Sequence, residues 1–187
     1  MTHRGNNSTP TTEARLTALL DRAEIAGLID RYVTALDTAD EHRTDEWYLD
    51  LFTEDVRLSF PIGDWQGIVG LSEFHRRARL RWEVTLHLSG GHTVAVDGDR
   101  ALARANVAGT HIARGAAPLA VTPDQRLDVG GHYHVEAVRG DQGWRISALR
   151  FTLVWTSGSG TPVGEFPERT VPPTADPGPG GPAGHTA

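Results

Sequence analysis

The chain has no cysteine. That excludes disulfides, iron–sulfur clusters, thiolate zinc sites and cysteine nucleophiles together. It has no lysine either: all 18 basic side chains are arginine, which removes Schiff-base chemistry and a pyridoxal-phosphate lysine. Long apolar runs are absent. Nothing approaches a membrane span, and residues 1–12 are polar without the apolar core of a signal peptide. Positive charge is not in excess; a net charge of −6 with both signs interspersed does not suit nucleic acid, which wants a clustered basic face. We therefore expect a soluble, cytoplasmic protein with no nucleic-acid or membrane partner. Arginine in place of lysine, with abundant Ala, Gly and Pro, is the compositional habit of a high-GC bacterial genome.

The length of 187 residues suits one domain with tails. Residues 1–12 and the Pro/Gly-rich 157–187 read as mostly disordered, with Val163–Val171 (around Phe166) a docking segment at most. Between them, 13–156 forms the domain. Glu13 to about Asp40 carries Leu16, Leu19, Leu20, Ala23, Ile25, Leu28, Ile29, Tyr32, Val33 and Leu36 at three- and four-residue steps. That is one apolar helical stripe, with Thr11 or Thr12 as cap. Asp37 lies four residues beyond Val33, on the stripe's edge. A short helix follows over Asp45–Phe52 with Trp47, Tyr48 and Leu51 inward, then a strand Val56–Phe60, a turn with a short strand at Gly63–Gly67, and a helix from Leu71 to about Trp82.

The rest alternates with period two, the mark of strands. In Thr85-Leu86-His87-Leu88-Ser89 the leucines face one way while Thr85, His87 and Ser89 face the other. Gly90-Gly91 implies a bulge or bend, and Asp97-Gly98 a hairpin turn. Strands over Arg100–Arg114, Arg126–Arg139 and Trp144–Trp155 follow, with a loop at Gly115–Gln125 and a hairpin at Gly140–Gly143. Helices grouped ahead of hairpin-linked strands argue for an α+β fold with a curved antiparallel or mixed sheet.

The order of these elements resembles the cone-shaped α+β barrel of the nuclear transport factor 2-like superfamily, and within it the SnoaL-like, scytalone dehydratase-type branch. Four stretches carry the likeness: Ala35-Leu36-Asp37, Thr85 to Gly91, His111 late in the next strand, and Gly131-His132-Tyr133-His134. The Asp-Gly hairpin and Gly143-Trp144-Arg145 also fit, so it spans Glu13–Trp155. The resemblance implies that Asp37 orients His87 and that His111 faces it across a pocket. It also marks departures. The two carbonyl-polarising tyrosines of scytalone dehydratase fall on Leu36 and Phe60, its serine and asparagine fall on Val135 and Ala137, and its C-terminal lid helix has no counterpart in the Pro/Gly-rich tail. Scytalone itself is thus not the expected substrate.

An Asp37–His87 dyad would fix the imidazole tautomer and leave the other ring nitrogen as a base, with His111 as the partner acid. The plain alternatives are a surface carboxylate at a helix end and two hydrogen-bonded histidines at a sheet edge. Tyr32, Tyr48 and Tyr133 are candidates to replace the missing carbonyl-polarising tyrosines, Tyr48 near the expected pocket mouth leading and Tyr32 reading rather as core on the helix stripe. Tyr48 and Tyr133 are candidates for substrate contact, with Phe60, Trp65, Phe74 and Val135 as walls. His132, His134 and Glu136 share a strand face at a spacing that can bind metal, but the apolar face is the opposite one, and no metal or cofactor is expected. The face of the last strand bearing Leu149, Phe151, Leu153 and Trp155 is apolar enough to predict a homo-oligomer, dimer or trimer. Two functions follow. One is a cofactor-independent dehydratase, lyase, isomerase or cyclase, or an epoxide-opening enzyme of secondary metabolism, acting on a small hydrophobic, polyketide-like or aromatic ketone. The other is a non-catalytic binding or assembly subunit of the same fold.

Overall fold

The opening helix α1 (Thr12–Asp37) starts where the Thr11 hydroxyl accepts a hydrogen bond from Ala14 N at 3.1 Å, the usual way a threonine satisfies a free helical N–H. Our computed structural model describes residues 11–38, 43–117 and 120–159. The Val163–Val171 segment and the stretch beyond Thr38 first read as helix lie outside them. Ile25, Leu28, Ile29, Tyr32, Val33 and Ala35 are buried along α1, but Leu16, Leu19 and Leu20 are 56%, 63% and 61% exposed. The apolar stripe is therefore shorter than its periodicity. The first turns run past the sheet, which α1 meets on this side only from Asp21 and Glu24 onward.

The remaining elements are α2 (Asp45–Tyr48), β1 (Phe52–Phe60), β2 (Gly63–Gln66), α3 (Leu71–Arg79), β3 (Trp82–Asp97), β4 (Arg100–Ala113), β5 (Arg126–Gly140) and β6 (Gly143–Gly158). The strands form one mixed sheet in the order β2-β1-β6-β5-β4-β3, with β1 parallel to β6 and every other pair antiparallel. This is the expected α+β cone with an open sheet. α1 packs along the edge strand β3 and over the concave face, and the core lies between them around Leu28, Tyr32, Phe52, Leu58, Trp144 and Ile146.

Bulges curve the sheet. One falls in β3 between Gly90 and Thr93, with Gly91 at φ +61°, where glycine is at ease. Two register shifts in β6 have a larger consequence, because each flips the inward set of side chains. Leu149 and Phe151 pair with Val135 and Tyr133 on the concave face, whereas Trp155 pairs with Gly130 on the convex one. The indole lies where a Cβ on residue 130 would sit. The face expected to form an interface is thus split: Leu149, Phe151 and Leu153 turn inward. The apolar convex surface is instead Leu86, Leu88, Leu102 and Trp155, 48–65% exposed. Among the described residues no helix is long and apolar enough to cross a membrane.

Candidate active site

Asp37 is the last residue of α1, and its carboxylate reaches the edge strand. An edge strand has backbone groups without a strand partner; here His87 N donates to Asp37 Oδ2 at 2.7 Å. On the other oxygen, Oδ1 accepts from His87 Nδ1 at 2.6 Å and from Thr85 Oγ1 at 2.9 Å. Burial pushes this carboxyl up, but the His87 side-chain and backbone bonds, the imidazole's charge and Thr85 outweigh it, so Asp37 lies below its ordinary value and is ionised. A carboxylate only accepts. Nδ1 therefore carries a proton, and in the neutral form of the ring Nε2 is a lone-pair nitrogen.

His111, one strand over, crosses the His87 ring edge-on, centroids 4.9 Å apart at 86°, and packs on Trp82 at 5.0 Å. Its Nδ1 donates to Leu127 O at 3.3 Å. Burial, then the neighbouring His87, holds it down at about 4 despite that bond. At neutral pH His111 is an uncharged ring whose Nε2 accepts. Gly109 lies between the two imidazoles. A Cβ there would stand 2.7 Å from His87 Cδ2 and 3.2 Å from His111 Cε1, so only a residue without one leaves room for the pair.

Both rings border a cavity of about 530 Å³ between α1, α3 and the concave sheet. Tyr48, Phe60, Phe74 and Tyr133 line it. Trp65 and Val135 do not. Trp65 packs behind Phe74 at 5.1 Å with its indole N–H given to Gly67 O, and Val135 is buried in the core. Tyr48 is not at the mouth but 1% exposed, stacked on His75 at 5.0 Å. Among the described residues Tyr133 Oη has no hydrogen-bond partner, and burial pushes its phenol well up, so it keeps its proton and can donate it.

The sequence reading missed Thr85, Arg43 and His75. Arg43 donates to Ala35 O at 2.8 Å and Thr38 Oγ1 at 2.7 Å, closing the end of α1 behind Asp37. His75 is buried: Nδ1 donates to Leu71 O at 3.0 Å and Nε2 accepts from Tyr32 Oη at 2.9 Å. Tyr32, which reads chiefly as core in the sequence, is also a cavity residue. His132 and His134 sit apart from all this, ring centroids 6.5 Å apart with His132 bonded to Asn106. Among the described residues no group of three or more His, Asp and Glu is placed to hold a metal ion.

Burial also holds His75 down at about 4, against a bond to Leu71 that favours its charged form. The unfolded chain takes up a proton on this histidine near pH 6.5. Between there and pH 4 it binds more protons than the folded protein, so stability falls as pH falls. Over that window His75 accounts for about 3 kcal/mol. Guanidinium unfolding at pH 7 and pH 4 should show His75→Phe losing about 3 kcal/mol less than wild type; an equal loss would exclude this histidine as a source of acid lability.

A SnoaL-like domain model matches residues 17–150. No curated protein matches the sequence. Among solved structures, a Kribbella flavida protein superposes with TM-score 0.65 at 26% identity, covering 76% of this chain and 96% of that one. A candidate scytalone dehydratase from Novosphingobium aromaticivorans gives 0.62 at 19%, covering 83% and 99%. The type 3 hexachlorocyclohexane dehydrochlorinase LinA of Novosphingobium barchaimii gives 0.62 at 19%, covering 85% and 99%. The last two are likenesses of fold alone. The family match extends from the first helix into the last strand and takes in Asp37, His87 and His111, so the chain belongs to the SnoaL-like domain family.

Proposed function

We propose that the protein is a cofactor-independent acid–base enzyme, a lyase of the dehydratase kind, acting on a small hydrophobic hydroxyketone held in the cavity. One observation carries this: a carboxylate-anchored imidazole borders a largely apolar cavity of small-molecule size. A filled core would have favoured an assembly subunit. In this reading His87 Nε2 removes the proton next to the carbonyl, and the ionised Asp37 steadies the imidazolium that forms. Tyr133 Oη donates to the carbonyl oxygen as it becomes an enolate. The C–O bond to the β-hydroxyl then breaks, and the proton on His87 leaves with it as water. His111 enters as an acceptor at Nε2 that aligns the hydroxyl. It delivers a proton, as the resemblance implies, only after receiving one. Isomerisation and cyclisation share the first step and differ in where the proton returns. The elimination named for the dehydratase and dehydrochlorinase of like fold supports the lyase form.

The first step can be followed without the true substrate. In D₂O, the wild-type protein should speed deuterium uptake at the α-carbon of 1-indanone, read by ¹H NMR. Uptake no faster than buffer across a panel of cyclic ketones removes the base assignment. The convex patch of Leu86, Leu88, Leu102 and Trp155 supports a homo-oligomer, most simply a two-fold dimer. Sedimentation should give twice the chain mass at micromolar concentration, and Leu88→Arg should halve it; a monomeric wild type would discard the dimer.

A further inference from the structure

The cavity has a second polar end, 12 residues before His87 in sequence and on a different element. His75 on α3 is buried and its two ring nitrogens are both committed. A backbone carbonyl can only accept, so the bond to Leu71 O places a proton on His75 Nδ1. A neutral imidazole carries one N–H. Nε2 must then be the acceptor, and the Tyr32 hydroxyl must be the donor. Tyr48 stacked on one face and Phe74 edge-on at 5.3 Å keep the ring from turning. The chain of bonds therefore has a fixed direction, from Tyr32 through His75 to Leu71, and it ends on the lone pairs of Tyr32 Oη. Tyr32 and His75 both line the cavity.

We propose that Tyr32, held by His75, is a one-way acceptor site that selects ligands carrying a hydroxyl. An alcohol or phenol O–H can donate to Tyr32 Oη, whereas a ketone or ether oxygen placed there meets no donor, because the tyrosine's only proton already belongs to His75. Tyr133, whose ring lies 6.1 Å from that of Tyr32, has the opposite polarity, a proton and no partner among the described residues. A ligand that satisfies both presents a hydroxyl to Tyr32 and an acceptor oxygen to Tyr133. This rests on the cavity being a small-molecule site, as proposed above, and adds which functional group is read at this end. Tyr32 is a binding residue here and His75 a positioning residue.

The test uses 4-ethylphenol and its isostere 4-ethyltoluene, with 4-ethylacetophenone as an acceptor-only probe, titrated calorimetrically into the full chain. Comparing ratios between variants cancels the probes' different hydration. Relative to wild type, Tyr32→Phe should cut the phenol-over-toluene preference about 10-fold, the worth of one hydrogen bond, while 4-ethyltoluene binds as before. In His75→Phe the tyrosine proton is released, and 4-ethylacetophenone should bind several-fold tighter than to wild type. Unchanged ratios in both variants, with 4-ethyltoluene still bound, would mean that Tyr32–His75 is a buried hydrogen bond and nothing more. Failure of wild type to bind any of the three probes would overturn the cavity reading itself, and this inference with it.

Discussion

His87→Ala is expected to lower catalysed α-proton exchange about 10³- to 10⁴-fold with little change in stability. The magnitude follows from what a positioned base supplies, roughly two to four orders of magnitude, and from the absence of a substitute. His111 is the nearest other imidazole, but its burial makes it a poor proton acceptor at neutral pH. Asp37→Asn should cost nearly as much, for a different reason. Asp37 accepts three hydrogen bonds, from His87 Nδ1, His87 N and Thr85 Oγ1. An asparagine has one accepting oxygen; with its NH₂ toward the ring, the imidazole must accept at Nδ1 and carry its proton on Nε2. The base is then blocked by the wrong tautomer. Thr85→Ala leaves the tautomer intact and should lose only a few-fold. Gly109→Ala should fall between them, about 10²-fold, because a Cβ 2.7 Å from His87 Cδ2 forces the ring out of line. Rates for the four variants should therefore rank His87→Ala and Asp37→Asn lowest, then Gly109→Ala, then Thr85→Ala. Full activity in Asp37→Asn would end the dyad as an explanation.

That ranking depends on contacts of very different visibility in the sequence. Asp37, His87 and His111 could be placed together because the family resemblance brings them to one pocket; strand alternation and helix periodicity set only the face on which each lies. Thr85 shared His87's strand face and could have been added by the same rule. His75 could not. It stands in Phe74-His75-Arg76-Arg77, which reads as the polar side of a helix, and only Tyr32, 43 residues earlier, makes it an interior residue. The first turns of α1 err the other way: Leu16, Leu19 and Leu20 have the right spacing, but periodicity does not say whether anything lies opposite. In β6 the bulges are decisive. Alternation alone puts Leu149, Phe151, Leu153 and Trp155 on one face, and one unsignalled register shift, between Leu153 and Trp155, moves Trp155 to the other. Trp65 and Val135 show the limit of wall-guessing: an aromatic or branched residue near a cavity is as readily the layer behind it.

Asp21→Ala should be the most damaging substitution far from the cavity, lowering stability by about 3 kcal/mol. Asp21 is buried within the apolar stripe of α1, where a carboxylate is costly unless fully partnered. Its partners come from the far end of the chain: Arg139 Nη2 donates at 2.7 Å and the Trp144 indole N–H at 3.1 Å, while Glu24 one turn on accepts from Trp144 N at 2.9 Å. Arg139 in turn lies over the Trp144 ring, 4.5 Å from its centroid. The cluster fastens α1 to the β5–β6 hairpin around a tryptophan with no exposed surface. Removing the carboxylate leaves the indole N–H without an acceptor and the guanidinium with only the exposed Asp99, 3.3 Å from its Nε. Breaking a buried pair this way costs roughly 3–5 kcal/mol, and the one-third exposure of Arg139 places the expectation at the low end. In a chain of this size that is roughly 6–12 °C in Tm. The Arg139 bond, opposed by burial, holds the Asp21 carboxyl below its ordinary value. The folded state therefore binds fewer protons than the unfolded one, and the clamp contributes above the carboxylate range and fades as pH falls below about 4. Calorimetry should accordingly show wild type and Asp21→Ala far apart at pH 7 and converging near pH 3. A Tm within 2 °C of wild type at neutral pH would mean that α1 is held to the sheet by apolar packing alone.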